Sequence, residues 1–341
     1  MTDVYQKIIA TLETCRKVLV TTHVRPDGDA LGSVTAMVLA MRQKGIDAQV
    51  LLLSHLPSKY TFLFDDSHIQ HCDAEKGWPA DLNLSAFDAL LVCDTGTWNQ
   101  LPGLKDHAEA FAKPILVIDH HRTQESWGDS RLVVKEAGAA GEIVAELIEL
   151  WGVTLDPAIA TALFIAITTD TGWFQFSNTR PFTFRLAATL LEAGVDMDGV
   201  YQRLYLSERA QRVDLQTRAM QSMKLLADGR LAVMRIEKKD FQETGANVPD
   251  TENMINIPMQ IQTVQVVMLV TEPMDFGPVR VSLRSKGQVD VAEFAQKFGG
   301  GGHARAAGLK VEHATLQDAW EKVVGAMMVE LDVCPESPRQ A

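Results

Sequence analysis

The stretch "KVLVTTHVRPDGDALGS" (Lys17–Ser33) changes character in its middle. It begins with a short apolar run, which predicts a buried strand, and continues into a polar loop that carries His23, Asp27 and Asp29. Two glycines give this loop additional backbone freedom. The following residues, "ALGSVTAMVLAMRQKG", have the apolar spacing of a helix that ends at Gly45. A strand, a polar loop and a helix in this order indicate an α/β unit.

Three further apolar runs in the first half of the chain have the same form. They are "AQVLLLS" (Ala48–Ser54), "FDALLVCDTG" (Phe87–Gly96) and "PILVIDHH" (Pro114–His121). Because their apolar residues are continuous rather than alternating, we expect strands that are buried on both faces. The sequence therefore predicts an α/β fold in which a parallel sheet has helices on both faces.

The pattern of the chain changes after residue 205. Before it, "DPAIATALFIAITTDTGWF" predicts a mostly buried helix with Asp156 as N-cap and Pro157 in its first turn. After it, a polar helical stretch precedes strand-like runs such as "VQVVMLVTEP" and "GPVRVSLRSKG". We expect an N-terminal domain over residues 1–205, a helical linker over residues 206–224 and a smaller C-terminal α+β domain over residues 225–335.

Composition limits the class of function. The chain has 341 residues, 46% of them hydrophobic, and a formal net charge of −12. Such a charge opposes binding of long nucleic acids, which depends on many Lys and Arg contacts to phosphate. Cys15, Cys72, Cys93 and Cys334 form no CxxC pair, so we expect free thiols in a reducing compartment. No apolar run approaches the ~20 residues that span a bilayer, and no signal peptide is evident. We therefore expect a cytoplasmic protein without a membrane partner.

Four predicted strand or helix ends carry acidic residues or histidines. In an open parallel sheet, ligands bind beyond the carboxyl ends of the strands, so we expect these side chains to converge. Carboxylates that meet at one point repel each other and lose hydration unless a cation neutralises them. The sequence therefore predicts a site for one or two divalent metal ions that is built from His23, Asp27, Asp29, Asp94, Asp119, His120, His121 and Asp170.

Each motif alone has an ordinary structural explanation. A single Asp after a strand is most often a helix cap or a turn residue, whereas four such motifs at equivalent ends favour a metal site. A mixture of carboxylate and imidazole ligands suits Mn²⁺, with Mg²⁺, Co²⁺ or Fe²⁺ as alternatives. The absence of thiolate ligands disfavours a structural zinc site.

These motifs, in this order, resemble those of the DHH phosphoesterases. The resemblance lies in "THVRPDGDALGS", "VCDTG", "IDHHR" and "TTDTG", and "FGGGGHARAAG" (Phe298–Gly308) resembles the signature of the DHHA1 accessory domain. A chain of this length with both domains most resembles the branch of bifunctional oligoribonucleases (nano-RNases) and pAp phosphatases. The resemblance implies two manganese ions, with Asp94 as the bridging ligand. It implies that Asp119 orients the imidazoles of the site and that His121 faces the substrate phosphate. The other implied ligands are His23 and Asp27 for one ion, and Asp29, His120 and Asp170 for the second.

The sequence departs from the family pattern in two places. The usual Asn soon after the DHH motif is not evident in "DHHRTQESWGD", where Arg122 and Gln124 occur. The glycine run has four residues rather than three. The first departure bears on the choice of substrate, and the second is expected to change only a loop.

Two divalent ions ~3.5–4 Å apart can share a water and generate a hydroxide that attacks phosphorus. The reaction class is therefore hydrolysis of a phosphoester. Glycines expose backbone N–H groups that can approach a phosphate, and Arg280 and Arg284 have the even spacing that places both on one strand face. The resemblance implies that the C-terminal domain binds the nucleotide end that is distant from the scissile bond. The predicted substrate-binding residues are Arg280, Arg284, Gly300, Gly301, Gly302, His303 and Arg305.

A cleft with metals on one wall and a phosphate cradle on the other would select short RNA or DNA oligonucleotides, dinucleotides and pAp. Inorganic pyrophosphate or cyclic dinucleotides are alternative substrates within the same superfamily. A non-catalytic nucleotide-binding regulator is the alternative of another class, although the intact ligand set speaks against it. A nicotinamide or flavin enzyme is disfavoured because no G-x-G-x-x-G follows the first strand. By resemblance, the chain is also expected to form a homodimer.

Overall fold

The structure, a computed structural model, describes residues 2–64, 69–72, 78–79, 82–274 and 277–333. Contacts between Cα atoms divide the chain into two units, Met1–Ser207 and Glu208–Ala341. Each unit has hydrophobic clusters of its own. Residues 334 and 335, the end of the C-terminal domain expected from the sequence, lie outside the described residues, as does Cys334.

The first unit alternates strands with helices. Its strands are β1 (Lys17–Thr21), β2 (Asp47–Leu52), β3 (Ile69–His71), β4 (Ala89–Cys93), β5 (Ile115–Asp119) and β6 (Ser130–Val133). Its helices are α1 (Thr2–Glu13), α2 (Gly28–Gln43), α3 (Lys105–Glu109), α4 (Ala140–Leu150), α5 (Pro157–Asp170), α6 (Pro181–Glu192) and α7 (Met197–Tyr205).

The strands described in the first unit form one parallel sheet in the order β3-β2-β1-β4-β5-β6. The direction of winding reverses between β1 and β4, so the carboxyl ends of these two strands border a topological switch point. In sheets of this kind ligands bind at that place. The parallel sheet predicted from the continuous apolar runs is confirmed.

Both faces of this sheet are covered. One face packs against α1, α2, α4 and α5 in the larger hydrophobic cluster, which includes Val18 and Leu91. On the other face, Ala108 of α3 packs with Leu19 and Leu90. Strands that are buried on both sides explain why their sequences are apolar without alternation.

Helices α2 and α5 cross very closely because α2 contains two glycines. A Cβ atom at Gly28 would lie 2.4 Å from Thr169 Oγ1, and one at Gly32 would lie 2.4 Å from the Ala162 carbonyl oxygen. Neither glycine has a positive φ. The prediction that these glycines loosen the backbone of the loop is therefore wrong, since both lie in α2 and allow α5 to approach the start of that helix.

The second unit is a smaller α+β unit, as predicted. Its strands, in the order β11-β12-β10-β9-β8-β7, form a mixed sheet in which β8 and β9 are parallel and the other pairs are antiparallel. The strands are β7 (Lys224–Leu226), β8 (Leu231–Ile236), β9 (Val266–Thr271), β10 (Val279–Ser285), β11 (Gly301–His303) and β12 (Ala306–Val311). The helices are α8 (Ala210–Gln221), α9 (Lys238–Thr244), α10 (Val291–Gln296) and α11 (Leu316–Val333).

Helix α8 occupies most of the expected linker over residues 206–224. It buries Leu215 and Ala219 in a hydrophobic cluster with Met234 and Phe241 of the second unit. This helix is therefore packed against the second unit along its apolar side.

Within the described ranges, no helix combines the length and the apolar character that crossing a membrane requires. Cys15 and Cys93 are buried free thiols.

Candidate metal centre

The loop between β1 and α2 carries the first group of predicted residues. Asp27 is the N-cap of α2, and its Oδ1 accepts hydrogen bonds from the backbone N–H groups of Asp29 and Ala30, each at 3.1 Å. The side chain of Asp27 is nevertheless 57% exposed. His23 turns its Nδ1 toward the Val24 carbonyl oxygen at 3.0 Å. That bond leaves His23 Nε2 available to a ligand.

Asp94 follows β4 directly and lies at the centre of the site. Its φ of 61° is in the left-handed region, which turns the chain sharply at the end of the strand. Its side chain is 3% exposed. Asp94 Oδ2 lies 3.5 Å from His23 Nε2, and Asp94 Oδ1 lies 3.5 Å from both His120 Nε2 and His121 Nδ1. The two carboxylate oxygens of Asp94 therefore face different imidazoles.

The three residues after Ile118 have different surroundings. Asp119 is fully buried, and its Oδ1 lies 2.8 Å from His121 Nδ1. The His120 ring has another partner, because its Nδ1 donates to the Ala137 carbonyl oxygen at 3.1 Å. Asp119 thus orients the His121 ring, and it contacts His120 only through the backbone N–H at 2.9 Å. The expectation that Asp119 orients the site's imidazoles describes the position of His121 and not that of His120.

Asp170 ends the buried helix α5. Its Oδ2 lies 3.6 Å from His120 Nε2. Asn178 donates to the Asp170 carbonyl oxygen at 3.1 Å and reaches its Oδ2 at 3.4 Å. Asp29, in the first turn of α2, lies with its Oδ2 3.7 Å from the same His120 nitrogen. Sequence-distant helix ends thus converge on one imidazole.

The predicted ligands therefore fall into groups that a metal ion could occupy. Within each group the candidate ligand atoms lie within 4.8 Å of one another. The groups are His23, Asp27 and Asp94; Asp29, His120 and Asp170; and Asp94, His120 and His121. We call the first the open group and the second the closed group.

Burial and mutual repulsion raise the proton affinity of this cluster. Burial, and then the charges of Asp94, Asp170 and Asp27, raise the pKa of Asp29 well above its usual range. Burial and the charge of Asp27 do the same for the pKa of Asp94. Burial also raises the pKa of Asp170, although His120 opposes the shift. A cation would remove this repulsion and restore the charged carboxylates.

The pair of Asp119 and His121 behaves differently. Burial raises the pKa of Asp119, but the hydrogen bond and charge of His121 and the amide of Gln124 outweigh it, so that this pKa lies below its usual range. The hydrogen bond to Asp119 raises the pKa of His121 to about 9, although burial opposes the shift. The His121 side chain is 52% exposed. A positively charged imidazole at the mouth of the site can contact a phosphate.

The residues present fit divalent cations. Asp94 Oδ1 is buried and has no hydrogen-bond donor. A buried oxygen of this kind is costly unless another partner neutralises it, and a bound cation is such a partner. The donor set, carboxylate oxygens with imidazole nitrogens, suits divalent transition metals.

Gln124 takes part in the site, although the sequence indicated it only as a departure from the family pattern. Its amide donates to Asp119 Oδ2, and its Oε1 accepts from Arg131. A Cβ atom at Gly96 would lie 2.2 Å from Gln124 Oε1, so a larger residue there would displace the Gln124 side chain. Arg122, the other departure, is exposed. The position of Gln124 after the DHH motif was the signal that pointed to it.

In the second unit, Arg280 and Arg284 lie on the same face of β10. Burial alternates along this strand, with Val279, Val281 and Leu283 on the core face. Arg280 is exposed and pairs across the sheet with a residue on β12, whereas Arg284 donates to the Leu283 carbonyl oxygen at 3.1 Å. The even spacing thus places both arginines on the face opposite the core.

The glycine-rich segment is an edge strand rather than a loop. Its residues Gly301–His303 pair with β12, and His303 is in register with Ala306, which is itself in register with Arg284. A Cβ atom at Gly300 would lie 2.3 Å from the Gly308 carbonyl oxygen. Close packing between strands therefore requires glycine at this position.

The two other predicted residues of this segment differ in their surroundings. A Cβ atom at Gly302 would lie 2.5 Å from the Ala306 carbonyl oxygen, and the φ of Gly302 is 145°. Arg305 is exposed, and its guanidinium donates to the Val289 carbonyl oxygen at 3.0 Å. Arg305 therefore also holds the segment before α10.

Comparisons with known proteins agree with these two units. The model of the "DHH family, N-terminal domain" matches residues 17–167, and that of the "DHHA1 domain" matches residues 228–328. The chain is 30% identical to the bifunctional oligoribonuclease and PAP phosphatase NrnA of Thermus thermophilus, over 92% of this chain and 90% of that protein. It is 24% identical to the protein of the same name from Bacillus subtilis, over 89% of this chain and 92% of that protein.

The fold also matches a solved structure over nearly its full length. An exopolyphosphatase-related protein from Bacteroides fragilis superposes with a TM-score of 0.86 at 22% identity, covering 97% of this chain and 98% of that chain. This likeness concerns the fold. The family matches and the Thermus thermophilus relative show that the chain belongs to the DHH family, with a DHHA1 domain, and is a hydrolase that acts on phosphoester bonds.

Proposed function

We propose that this chain is a manganese-dependent phosphoesterase that hydrolyses short oligonucleotides, including nanoRNA and dinucleotides, to mononucleotides, and pAp to AMP. The observation that carries this function is the arrangement around Asp94. Its two oxygens face imidazoles of the open and the closed group, and its buried Oδ1 has no hydrogen-bond donor. The relatives that are named oligoribonuclease and PAP phosphatase support the substrate class.

Two cations would be held by the open and the closed group, with Asp94 shared between them. Imidazole among the donors favours Mn²⁺ or Co²⁺ over Mg²⁺, which prefers oxygen ligands and bound water. Divalent cations in such a site supply the charge that activates a water molecule and stabilises the negative phosphate. The ligands in this proposal are His23, Asp27, Asp29, Asp94, His120 and Asp170.

Other residues would orient the substrate. The hydrogen bond to Asp119 fixes the His121 ring, which leaves Nε2 as the ring atom available to a substrate phosphate. Gln124 holds the second oxygen of Asp119, and Arg131 holds Gln124. This chain of hydrogen bonds gives His121 one orientation before substrate binds, which lowers the cost of reaching the reactive geometry.

The second unit would select the substrate. Arg284 and His303 lie in one row of the sheet, on either side of Ala306, and Arg280 lies further along the same strand face as Arg284. Arginine can hold a phosphate with two parallel hydrogen bonds. We propose that these residues, with Gly300, Gly301, Gly302 and Arg305, bind the part of a nucleotide distant from the bond that is cut. The net charge of −12 opposes binding of extended polyanions.

Inorganic pyrophosphate and cyclic dinucleotides are the competing substrates. Pyrophosphate has no distant nucleotide end, so it could not contact the face of β10 that carries Arg280 and Arg284. A cyclic dinucleotide has no free terminal phosphate for that face. Both features favour linear substrates with a terminal phosphate.

A substrate panel tests this function. With Mn²⁺ present, the rates of hydrolysis of a dinucleotide, a pentanucleotide, a long single strand, pAp, cyclic di-AMP and pyrophosphate are compared by chromatography. We expect the dinucleotide and pAp to be hydrolysed fastest and the long strand slowest. Equal rates for the dinucleotide and the long strand, or a preference for pyrophosphate, would refute the proposed substrate class.

The Arg284→Gln variant tests the role of the second unit. Loss of a charged hydrogen bond to phosphate weakens binding by about 1.5–3 kcal/mol, so the KM for a dinucleotide should rise by about 10- to 100-fold with a smaller change in kcat. Arg235→Gln is the matched control, because Arg235 lies on β8 and pairs with Glu237 at 3.2 Å. Equal effects of the two substitutions would argue against the proposed role of Arg284.

A further inference from the structure

The segment of residues 137–141 leads into α4 and touches the closed group through its backbone. The Ala137 carbonyl oxygen accepts the hydrogen bond from His120 Nδ1 at 3.1 Å. The backbone N–H groups of Ala140 and Gly141 donate to the two oxygens of Asp29 at 2.6 and 2.9 Å. One short segment therefore fixes both the ring of one proposed ligand and the carboxylate of another.

The same segment also reaches Asp170, the third member of the closed group. The Gly138 carbonyl oxygen accepts a hydrogen bond from the amide of Asn178 at 2.8 Å. The same amide donates to the Asp170 carbonyl oxygen and reaches Asp170 Oδ2. Asn178 thus links the segment to the end of α5.

These contacts are selective. All three members of the closed group are held by the 137–141 segment, directly or through Asn178. Within the described part of the chain, no hydrogen bond from this segment reaches His23 or Asp27 of the open group. A change in the segment should therefore disturb one of the two cation positions more than the other.

The segment is anchored by Glu142, a carboxylate that is 1% exposed. Glu142 accepts hydrogen bonds from the Gly138 backbone N–H at 3.0 Å, from the Arg180 guanidinium and from the Thr183 hydroxyl. Thr183 also accepts from the Arg180 backbone N–H at 3.1 Å, which joins the start of α6 to this cluster. Among the described residues, the groups that could hold a metal ion do not include Glu142. The hydrogen bonds of Glu142 hold residues 137–141 in one conformation.

We propose that Glu142, together with Arg180 and Thr183, is a positioning residue for one of the two cations, namely that of the closed group. Its carboxylate holds residues 137–141 in the shape that aims Asp29, His120 and Asp170 at a common point. This role rests on the proposed function, because it requires that the chain binds two cations. Removing partners that orient metal ligands lowers metal affinity by about 10- to 100-fold.

The test is a titration of the metal-free protein with Mn²⁺, followed by isothermal calorimetry and by metal analysis after dialysis. We expect the wild-type protein to bind two ions per chain. In the Glu142→Gln variant, which keeps the size of the side chain but loses its charge, one ion should bind as in the wild type. The affinity for the other should fall by about 10- to 100-fold.

Glu146→Gln is the matched control. Glu146 lies one turn later on α4 and accepts a hydrogen bond from the Tyr5 hydroxyl at 2.5 Å, away from the ligands. This variant receives the same substitution on the same helix and should bind both ions as the wild type does. A folded Glu142→Gln variant that matches it in both affinities would overturn the role of Glu142, as would an equal loss of both ions.

Thr183→Val removes one partner of Glu142 and the acceptor of the Arg180 backbone N–H, but it keeps the carboxylate, so it provides a second test if Glu142→Gln fails to fold. The affinity for the same ion should fall, by a smaller factor. Thermal melting monitored by circular dichroism reports whether the variant is folded. Two unperturbed ions in folded Thr183→Val would then overturn the proposal.

Combining Glu142→Gln with a second substitution tests which of the two ions is bound with lower affinity. Glu142→Gln should change little in a His120→Ala protein, which has already lost the closed position. In an Asp27→Asn protein, which keeps the N-cap of α2 but binds the open ion more weakly, it should still lower the affinity for the closed ion. The opposite pattern would overturn the assignment. A wild-type protein that bound no divalent ion would refute the proposed metal site itself, whereas two unperturbed ions in the Glu142 variant would refute only this inference.

Discussion

The open and the closed group use the same ligand chemistry but differ in how the fold holds them. The closed group comes from two helix ends and a strand end, and the backbone of residues 137–141 holds it from outside. Two members of the open group, His23 and Asp27, lie on the loop between β1 and α2, where Asp27 is 57% exposed, and the third, Asp94, follows β4. Ligands that are fixed before a metal binds lose less freedom when it binds. The closed position should therefore hold its ion more tightly, and the open position should exchange its ion more readily.

The largest expected effect comes from Asp94→Asn, which removes the carboxylate that the two cations would share. Loss of its charge should weaken both ions, and a loss of about 4 kcal/mol of transition-state stabilisation corresponds to a rate decrease of about 1,000-fold. The fold should persist, because the substitution removes a buried carboxylate that lacks a hydrogen-bond donor at Oδ1. Hydrolysis of a dinucleotide and a thermal melt measure the two outcomes. Activity within tenfold of the wild type would contradict a shared ligand.

Gly141→Ala should disturb the closed group. The new Cβ would lie 2.5 Å from the Cβ of Ala166 on α5 and would push α4 away from Asp29. Overpacking of this kind lowers the free energy of unfolding by about 1–3 kcal/mol, and the closed ion should be weakened. Denaturant titration and Mn²⁺ calorimetry measure both effects.

Gly325→Ala is the matched control for that substitution. Gly325 lies inside α11, where an added Cβ meets nothing within 4 Å. Alanine should leave the free energy of unfolding unchanged or raise it by about 0.5–1 kcal/mol, and metal binding should stay the same. Similar destabilisation by both substitutions would show that Gly141 has no special packing role.

Asp27→Asn tests the open group separately from the closed group. Asn is as good an N-cap as Asp, so the hydrogen bonds that begin α2 should persist and the free energy of unfolding should change by less than about 0.5 kcal/mol. The loss of one negative charge should weaken the open ion alone. The Mn²⁺ concentration that gives half-maximal activity should rise, while calorimetry should still detect the closed ion. Loss of the closed ion would contradict the separation of the two positions.

The smallest expected effect is that of Gln124→Asn. The shorter side chain cannot reach Asp119 and Arg131 at once, so His121 loses part of its support. One hydrogen bond is worth about 0.5–1.5 kcal/mol, which corresponds to a decrease in kcat of about 2- to 10-fold. Metal affinity should not change, since the side chain of Gln124 bonds to Asp119 and Arg131 rather than to a proposed metal ligand. A calorimetric titration that matched the wild type, with a lower kcat, would fit this role; weakened metal binding would not.

The sequence predicted those parts of the fold and of the site that are encoded by patterns within short stretches of the chain. Continuous apolar runs predicted the parallel strands, and the motifs at their ends predicted side chains that the structure brings together around Asp94. These residues directly follow the strands that position them, so topology alone makes them converge. The resemblance to a known family added the division of the ligands between two ions, which remains a prediction.

Contacts between distant parts of the chain could not be predicted in this way. Glu142, Glu146 and Glu149 recur at the spacing of one helix face, which is typical of a solvent-facing stripe. Glu142 is instead buried, and one of its partners is Arg180, 38 residues later. The partner of the His120 ring is a backbone carbonyl, and a backbone atom leaves no pattern in the sequence.

The sequence of the glycine-rich segment was also misleading, because its glycines are explained by contacts with the facing strand. A run of glycines predicts a flexible loop, but Gly301–His303 forms a strand against β12. Glycine is needed there because a Cβ atom at Gly300 would collide with the facing strand. Composition alone does not distinguish close packing from flexibility.

The most direct test of the central claim is anomalous X-ray diffraction from crystals grown with Mn²⁺. We predict two manganese peaks per chain, one beside each oxygen of Asp94 and about 2.0–2.5 Å from it, with the first near His23 and Asp27 and the second near Asp29, His120 and Asp170. A single peak, or peaks that lie away from Asp94, would contradict the two-cation site.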